Sequence, residues 1–451
     1  MDGMIKKGAR FLSSADPRCL CLFLAAGLEC LLMVFGPYSL YVQNHFTLVP
    51  CALFLGIAWK QGLSPSAKKL LMLSAILAVW FSVVQSYHQS MGAPSRMAGP
   101  FFATYLLALP FAAVTDGDTS RQGLKIAGGF FLAAGICLAL FTGLLSLGLL
   151  PGFLERYIYW DGARLSAMWH PNITANIFLM AMGFCFYFAV TSSRMRRKAL
   201  FMAMAAGFFL LMCLTNSRTT VLSACVLTAG SAFFLVWKGG IKRFIPIAVA
   251  AVVILALLFS LYQILFPLHQ EMLIQSYLQE QATTGSTNPD LVVDQQTGEA
   301  SLITDAGQNS LLADLGTLNS RTNIWRACLR AIREDPMILV RGTPDIESLV
   351  ANPHYSPGHA HNSWLEILMG IGLPGLLFAL VFTGMALWHI FRIFFFGSHG
   401  LDRKIIALLA LCLLISGILE NYLFLGAENY PCANFAFFLC LGYLTQWKKA
   451  E

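Results

Sequence analysis

The chain has 451 residues, of which 57% are hydrophobic and only 12% charged. Soluble domains run about 45–50% apolar and about 25% charged, and the mean hydropathy of +0.66 lies on the membrane side. Composition therefore excludes a soluble enzyme, a nucleic-acid module and a disordered scaffold, and the formal charge of +7 first reports orientation in a bilayer.

Lys6, Lys7, Arg10 and Arg18 precede an apolar stretch from about Cys19 to Phe35. No small-x-small site closes it, so a retained first span is expected, not a cleaved signal. Further apolar runs long enough to cross roughly 30 Å of hydrocarbon follow in order. The expected spans are 19–36, 40–59, 69–87, 97–114, 124–149, 172–191, 199–214, 219–237, 244–267, 373–396, 404–424 and 430–447. The expected fold is an all-α integral membrane protein of about 12 transmembrane helices. Its organisation is spans 1–9 in residues 1–267, one large extracytoplasmic loop with amphipathic helices over 268–372, and spans 10–12 in 373–451. Twelve cysteines fall almost entirely within apolar runs, where they read as small packing residues and not as a disulfide frame.

With the N-terminus in the cytoplasm, 21 of the 30 lysines and arginines fall inside and nine outside, which obeys the positive-inside rule. All the lysines are inside, and every basic residue outside is an arginine. Arginine makes planar, bidentate contacts to phosphate, so one reading is a phosphate site on the outer face. The other is chance combined with translocation bias against lysine.

The large loop is acidic. Its first half, QEQATTGSTNPDLVVDQQTGEA, is polar and turn-rich and is expected to be a flexible surface excursion. Its second half contains LNSRTNIWRACLRAIREDP, which predicts an amphipathic helix capped by Asn319 or Ser320 and stopped by Pro336. The expected apolar stripe is Arg321, Trp325, Cys328, Leu329 and Ile332, with Arg326, Arg330 and Arg333 on the other side. An arginine aimed into a packed face needs an anionic partner; at a helix start it can instead snorkel to water.

His354, His359 and His361 crowd the segment before the last three spans, and residues 362–371 predict a short interfacial helix broken from span 10 by Gly370, Gly372, Pro374 and Gly375. A histidine here can serve as a general base. A zinc site is a rival reading, although neither HExxH nor an external cysteine pair accompanies it; plain loop histidines are a third. Arg164 lies in GARLSAMWHPNITAN and Arg218 in LTNSRTT, where a very short connection holds Arg218 at the membrane surface. Asn172 and Asn176 stand one turn apart and can either donate to a sugar or phosphate, or only cap and pair helices. Asp116-Gly-Asp118 reads as a turn.

These residues resemble a known family. HAHNSWLEILMGIGLPG resembles the His-Asn signature of the O-antigen ligase and O-antigen polymerase superfamily; LTNSRTT, RLSAMWHPNITAN and SRTNIWRACLRAI resemble its other motifs. The resemblance covers roughly residues 160–380. It implies a GT-C-like fold and a metal-independent, inverting glycosyltransferase. The donor would be a glycan on an undecaprenyl-pyrophosphate carrier, and the acceptor hydroxyl would lie on a lipid A core or another glycan. Membrane lipids are the remaining partner, with no cofactor and no nucleic acid. By the resemblance, Arg218 and Arg321 match arginines assigned to pyrophosphate, and His361 matches the catalytic histidine. Arg164, His359 and Asn362 match further motif positions, and with Asn172 and Trp325 they complete the candidate substrate-binding set. Ligase, repeat-unit polymerase and protein O-oligosaccharyltransferase share this chemistry. Eleven positions after Arg164, Arg321, Arg326 and Arg341 no glycine stands, unlike the R-x10-G repeats described for polymerases, which favours a ligase. A transporter would carry more charge within its spans than the chief examples here, Glu29 and Glu420.

The orientation has a direct check. A cysteine placed at Gly285 is expected to react with a membrane-impermeant maleimide in intact cells; labelling only after permeabilisation would reverse the topology.

Overall fold

The computed structural model describes residues 17–35, 50, 53–57, 60, 65–90, 117–155, 158–161, 164–167, 171–236, 241–284, 291–293, 300–302, 321–343, 360–396, 399–420, 423–424 and 431–445. Among these residues the chain is mostly helical. Its elements are α1 (Pro17–Phe35), α2 (Pro65–Ser90), α3 (Gly117–Ser146), α4 (Gly152–Glu155), β1 (Ile158–Asp161), β2 (Arg164–Ala167), α5 (Pro171–Thr191), α6 (Met195–Leu214), α7 (Arg218–Val236) and α8 (Ile241–Thr284). There follow β3 (Leu291–Val293), β4 (Ala300–Leu302), α9 (Arg321–Glu334), α10 (Ile338–Arg341), α11 (Ser363–Ile371), α12 (Leu373–Phe395), α13 (Leu401–Leu419) and α14 (Pro431–Thr445). Among the described residues, six helices are long and apolar enough to cross a membrane by length and composition: parts of α3 and α8, and α5, α6, α7 and α12 whole. Helices also coincide with the spans expected at 19–36, 69–87, 404–424 and 430–447. Those expected at 40–59 and 97–114 lie wholly or mostly outside the described residues. The protein is a multi-pass membrane protein. The chain divides into two compact units, residues 135–322, and residues 1–134 with 323–451.

In the 135–322 unit the central element is α5. It is buried without a break from Pro171 to Tyr187. A helix that is apolar on every side has no solvent face to offer and belongs inside a bundle. The short turn at 192–194 returns the chain into α6, and Phe178 of α5 stacks on Phe208 of α6 at 5.9 Å. α7 and α8 complete the group. α8 runs well past the end expected at 267 although Pro246 and Pro267 lie inside it. Each proline deletes a backbone hydrogen bond, but the helix formers of Leu268–Thr284, rich in Leu, Gln and Glu, carry the helix on. At about 1.5 Å per residue its 44 residues span about 66 Å, roughly twice the hydrocarbon thickness. The loop expected to be a flexible excursion thus begins as helix, and it also contains the antiparallel β3–β4 pair, with Val292 opposite Ser301. The all-α expectation also missed the β1–β2 hairpin, in which Asp161 faces Arg164.

In the other unit, Phe382 of α12 meets Phe438 of α14 edge to face at 5.1 Å, and within α12 Phe378 meets Phe382 edge to face at 4.6 Å. The expected helix at 321–334 forms, and Trp325, Cys328 and Ile332 of its expected stripe pack against the apolar cluster, but Leu329 does not. Ile324, Cys328 and Ala331 are buried, whereas Leu329 is 59% exposed. The face is set by what it meets: Ile324, Cys328, Ala331, Ile338, Ala360 and Met369 form one apolar cluster, and the small Ala331 permits close approach where Leu329 would not fit. Arg326, Arg330 and Arg333 are exposed, as expected.

The join between α11 and α12 is made backbone to backbone. Gly372 has φ +76° and Gly342 φ +66°, both left-handed values that favour glycine. Thr343 N donates to Met369 O at 2.6 Å. From α2, Trp80 Nε1 donates to Ile371 O at 3.2 Å, and His88 Nε2 lies 2.9 Å from Arg341 O. A Cβ on Gly342 would overlap the Gly370 carbonyl, and one on Gly372 would come within 2.6 Å of the Leu339 and Val340 oxygens. Gly342→Ala is therefore expected to cost about 1–3 kcal/mol. Gly143→Ala, where a Cβ meets nothing within 4 Å, serves as the neutral control. Thermal unfolding followed by tryptophan fluorescence checks it; equal melting of both variants would remove the close-packing argument.

Candidate functional site

Two constellations of the expected residues exist, one in each unit. In the 135–322 unit the organising feature is the tight turn between α6 and α7. Thr215 ends α6, and its hydroxyl donates to Met212 O at 2.7 Å and accepts from Ser217 N at 3.2 Å. Asn216 takes a left-handed conformation, φ +50°. Ser217 precedes α7, its hydroxyl 3.0 Å from that of Thr220. The turn leaves no slack, so Arg218 becomes the first residue of α7.

Arg164 reaches the same turn from the first residue of β2. Its Nε donates to Thr215 O at 3.1 Å and its Nη2 to Asn172 Oδ1 at 3.2 Å. Asn176 Nδ2 donates to the Asn172 backbone carbonyl at 2.8 Å, a local bond within α5. Tyr262, buried in α8, completes the group. Its hydroxyl donates to Asn216 Oδ1, and the Arg218 and Arg164 charges both act on it. Arg164, Asn172 and Arg218 thus belong to one polar network, with two guanidinium groups bearing on one phenol. Tyr262 carried no signal in the sequence: it is one aromatic residue in a long apolar run.

In the other unit the turn Ala360–Ser363 carries the histidine. His361 is buried and left-handed, φ +48°, a conformation non-glycine residues adopt seldom and often at functional sites. Its Nδ1 lies 3.6 Å from the Glu420 carboxylate, both side chains being buried. Asn362 caps α11: its Oδ1 accepts from Trp364 N at 3.0 Å and Leu365 N at 2.9 Å, while its Nδ2 donates to Ile418 O at 2.9 Å. Ser363 Oγ donates to Glu420 O at 2.7 Å and accepts from Leu423 N at 3.1 Å. Trp325 Nε1 donates to Ala360 O at 3.0 Å. Both Asn362 and Trp325, expected to touch substrate, are thereby committed to the protein's own backbone. Arg321, the first residue of α9, falls in the 135–322 unit and is half-buried. His359 and His354 lie outside the described residues.

Two carboxylates here escaped the sequence reading as site residues. Glu420 had a signal, an acid near the end of an apolar span. Glu366 had almost none: it is the lone acid in SWLEILMGI. It is 3% exposed, and its Oε2 accepts from Ala360 N at 2.6 Å. Burial pushes its pKa up to about 7, against the opposing donation from Ala360. Cys328 beside it is pushed up to about 12 by burial and then by the Glu366 charge. Among the described residues, no three His, Cys, Asp or Glu side chains gather as a metal site would require.

The Glu366 shift makes a stability prediction. The folded protein keeps this proton up to about pH 7, whereas the unfolded chain loses it near 4.5. Stability should then fall as pH rises from about 4.5 to about 7 and stay flat above, by on the order of 2–4 kcal/mol. Glu366→Gln should abolish that slope, so that its melting temperature gains on the wild type between pH 5 and pH 8. Parallel melting curves at both pH values would refute the shift.

Residues 202–380 match a family model described as O-antigen ligase. No curated protein matches the chain. The matched segment runs from α6 into α12 and takes in Arg218, Tyr262, Arg321, Trp325, Glu366, His361 and Asn362. The match over that segment supports the resemblance to the O-antigen ligase superfamily of membrane enzymes.

Proposed function

We propose that the protein is a membrane glycosyltransferase of the O-antigen ligase type. It moves a glycan from an undecaprenyl-pyrophosphate carrier to an acceptor hydroxyl, on a lipid A core or another glycan, at the outer face of a bacterial inner membrane. Both termini are then cytoplasmic, and residues 268–372 form the extracytoplasmic segment. The observation that carries the reading is the buried His361–Glu420 pair at 3.6 Å. A carboxylate on the Nδ1 side favours the ring proton there by its charge, which leaves the Nε2 lone pair for a substrate. His361 then takes the acceptor proton as the acceptor oxygen attacks the anomeric carbon. The bond from that carbon to the pyrophosphate oxygen breaks, the lipid pyrophosphate leaves with its electron pair, and the anomeric centre inverts.

The arginines support the donor half. Arg218 and Arg321 are each the first residue of a helix, where a cation opposes the helix dipole. The cost makes sense if an anion is bound there, since helix N-terminal amides and a guanidinium both attract phosphate. Charge that grows on the leaving pyrophosphate is stabilised by donors already fixed in position. Tyr262 and Arg164 extend that group. The missing glycines eleven positions after the arginines favour ligase over polymerase. Metal has no assigned part in this scheme.

Three outcomes test it together, measured as transfer of a lipid-linked glycan by purified protein. His361→Ala should lower the rate about 10²–10⁴-fold while donor binding survives. Arg218→Lys or Arg321→Lys should abolish most transfer, because a point charge does not reproduce bidentate contacts, whereas Arg326→Ala should change little. EDTA should leave the wild type active. Restoration by zinc after chelation, or normal transfer by His361→Ala, would end this mechanism.

A further inference from the structure

Left-handed His361 needs an explanation that Glu420 alone does not supply. A strained backbone persists only where its surroundings over-determine it. On the C-terminal side, Asn362 and Ser363 are tied to Ile418, Glu420 and Leu423 near the end of α13. On the N-terminal side, Ala360 is fully buried, and both of its backbone polar groups are taken by side chains from two different helices. Its carbonyl receives Trp325 Nε1 of α9 at 3.0 Å, and its amide donates to Glu366 Oε2 of α11 at 2.6 Å. A buried backbone group normally finds a backbone partner in regular structure. Here a tryptophan 35 positions upstream and a carboxylate with no solvent access are used instead. With both neighbours fixed, the one conformation left to residue 361 is the left-handed one it adopts.

We propose that Trp325 and Glu366 are positioning residues for the base: they clamp Ala360 and so fix the backbone that aims His361. This rests on the reading of His361 as the acceptor base. It replaces the expectation that Trp325 touches substrate, and it gives Glu366 a reason to be carried unexposed at the start of α11. Neither residue touches the reacting atoms; each acts through the peptide groups of Ala360. The chemistry of the clamp separates the substitutions. Glutamine keeps an oxygen acceptor for Ala360 N, and alanine removes it. Phenylalanine at 325 keeps the ring that packs against the Ile324–Cys328–Ala331 cluster and loses only the N–H.

The test uses the full-length protein in lipid nanodiscs and two readouts. The first needs no substrate: the rate at which diethylpyrocarbonate modifies His361, followed by peptide mass. In the wild type the buried ring should react slowly. Trp325→Phe and Glu366→Ala should each raise the rate about tenfold by letting the turn open, and Glu366→Gln should recover most of the protection. The second readout is turnover with an undecaprenyl-pyrophosphate-linked oligosaccharide and rough lipopolysaccharide. Trp325→Phe and Glu366→Ala should lower kcat about 10–100-fold with donor KM within about twofold, the pattern of a lost transition-state alignment, and Glu366→Gln should regain most of it. General destabilisation would instead reduce the amount of folded protein. Unchanged modification of His361 in both variants overturns the clamp. Faster modification with wild-type kcat overturns the role of His361 as base, and leaves the clamp as a contact without catalytic purpose. A rise in donor KM at constant kcat would return Trp325 to the substrate and overturn the proposal.

Discussion

A carboxylate buried at the end of an apolar helix must be neutralised or paired, and Glu420 is buried there with His361 Nδ1 3.6 Å from it. The consequences spread along the next two residues. The last carbonyls of a helix lack intrahelical partners, and α13 ends with Ile418 and Glu420 oxygens received by Asn362 Nδ2 and Ser363 Oγ. The same Asn362 offers its Oδ1 to the first amides of α11. Three consecutive side chains therefore close one helix end, open another and hold the only described ionisable pair at that turn. The signature His-Asn reads as chemistry in the sequence; in the structure the asparagine is first a cap for two helices, and the histidine owes its site to that arrangement.

The turn between α6 and α7 solves the same problem with cations. Arg164 donates to Thr215 O, where a positive group complements both an orphan carbonyl and the negative end of the helix dipole. Arg218 stands on the opposite footing, at the positive end of α7. One arginine of the group is thus stabilised by the helix beside it and the other is not. Tyr262 lies between these demands: it anchors left-handed Asn216 and feels the Arg218 charge. The network keeps a guanidinium at a helix start where the dipole alone would disfavour it, which is the electrostatic setting a pyrophosphate would complete.

Hydropathy was enough to read the six apolar helices long enough to cross a bilayer among the described residues, because a bilayer demands long apolar helices whatever their neighbours. Local capping rules also read α11 and the break at Gly372 from residues within a few positions. What the sequence concealed depends on tertiary partners. The packed face of α9 leaves out Leu329 because Ala360 and Met369 accept Ala331 more closely, and no periodicity within α9 contains that information. α8 passes Pro267 because one lost hydrogen bond is outweighed by a long run of helix formers. Tyr262 and Glu366 take their meaning from Asn216 and Ala360, residues whose own backbone conformation or burial is not a compositional property. Glu420 stood out as a charge in a span, yet its partner lies 59 positions earlier.

α9 gathers these threads into one rigid element. Its first residue is Arg321, its second turn presents Trp325 to Ala360, and its buried stripe packs on the cluster beneath α11. Groups mounted on a helix keep their spacing far better than groups on a loop. The outward face of α9, with Arg326, Arg330 and Arg333, is exposed: the residues with close neighbours lie on the inward side, and the outer stripe has only to keep the helix soluble at the membrane surface.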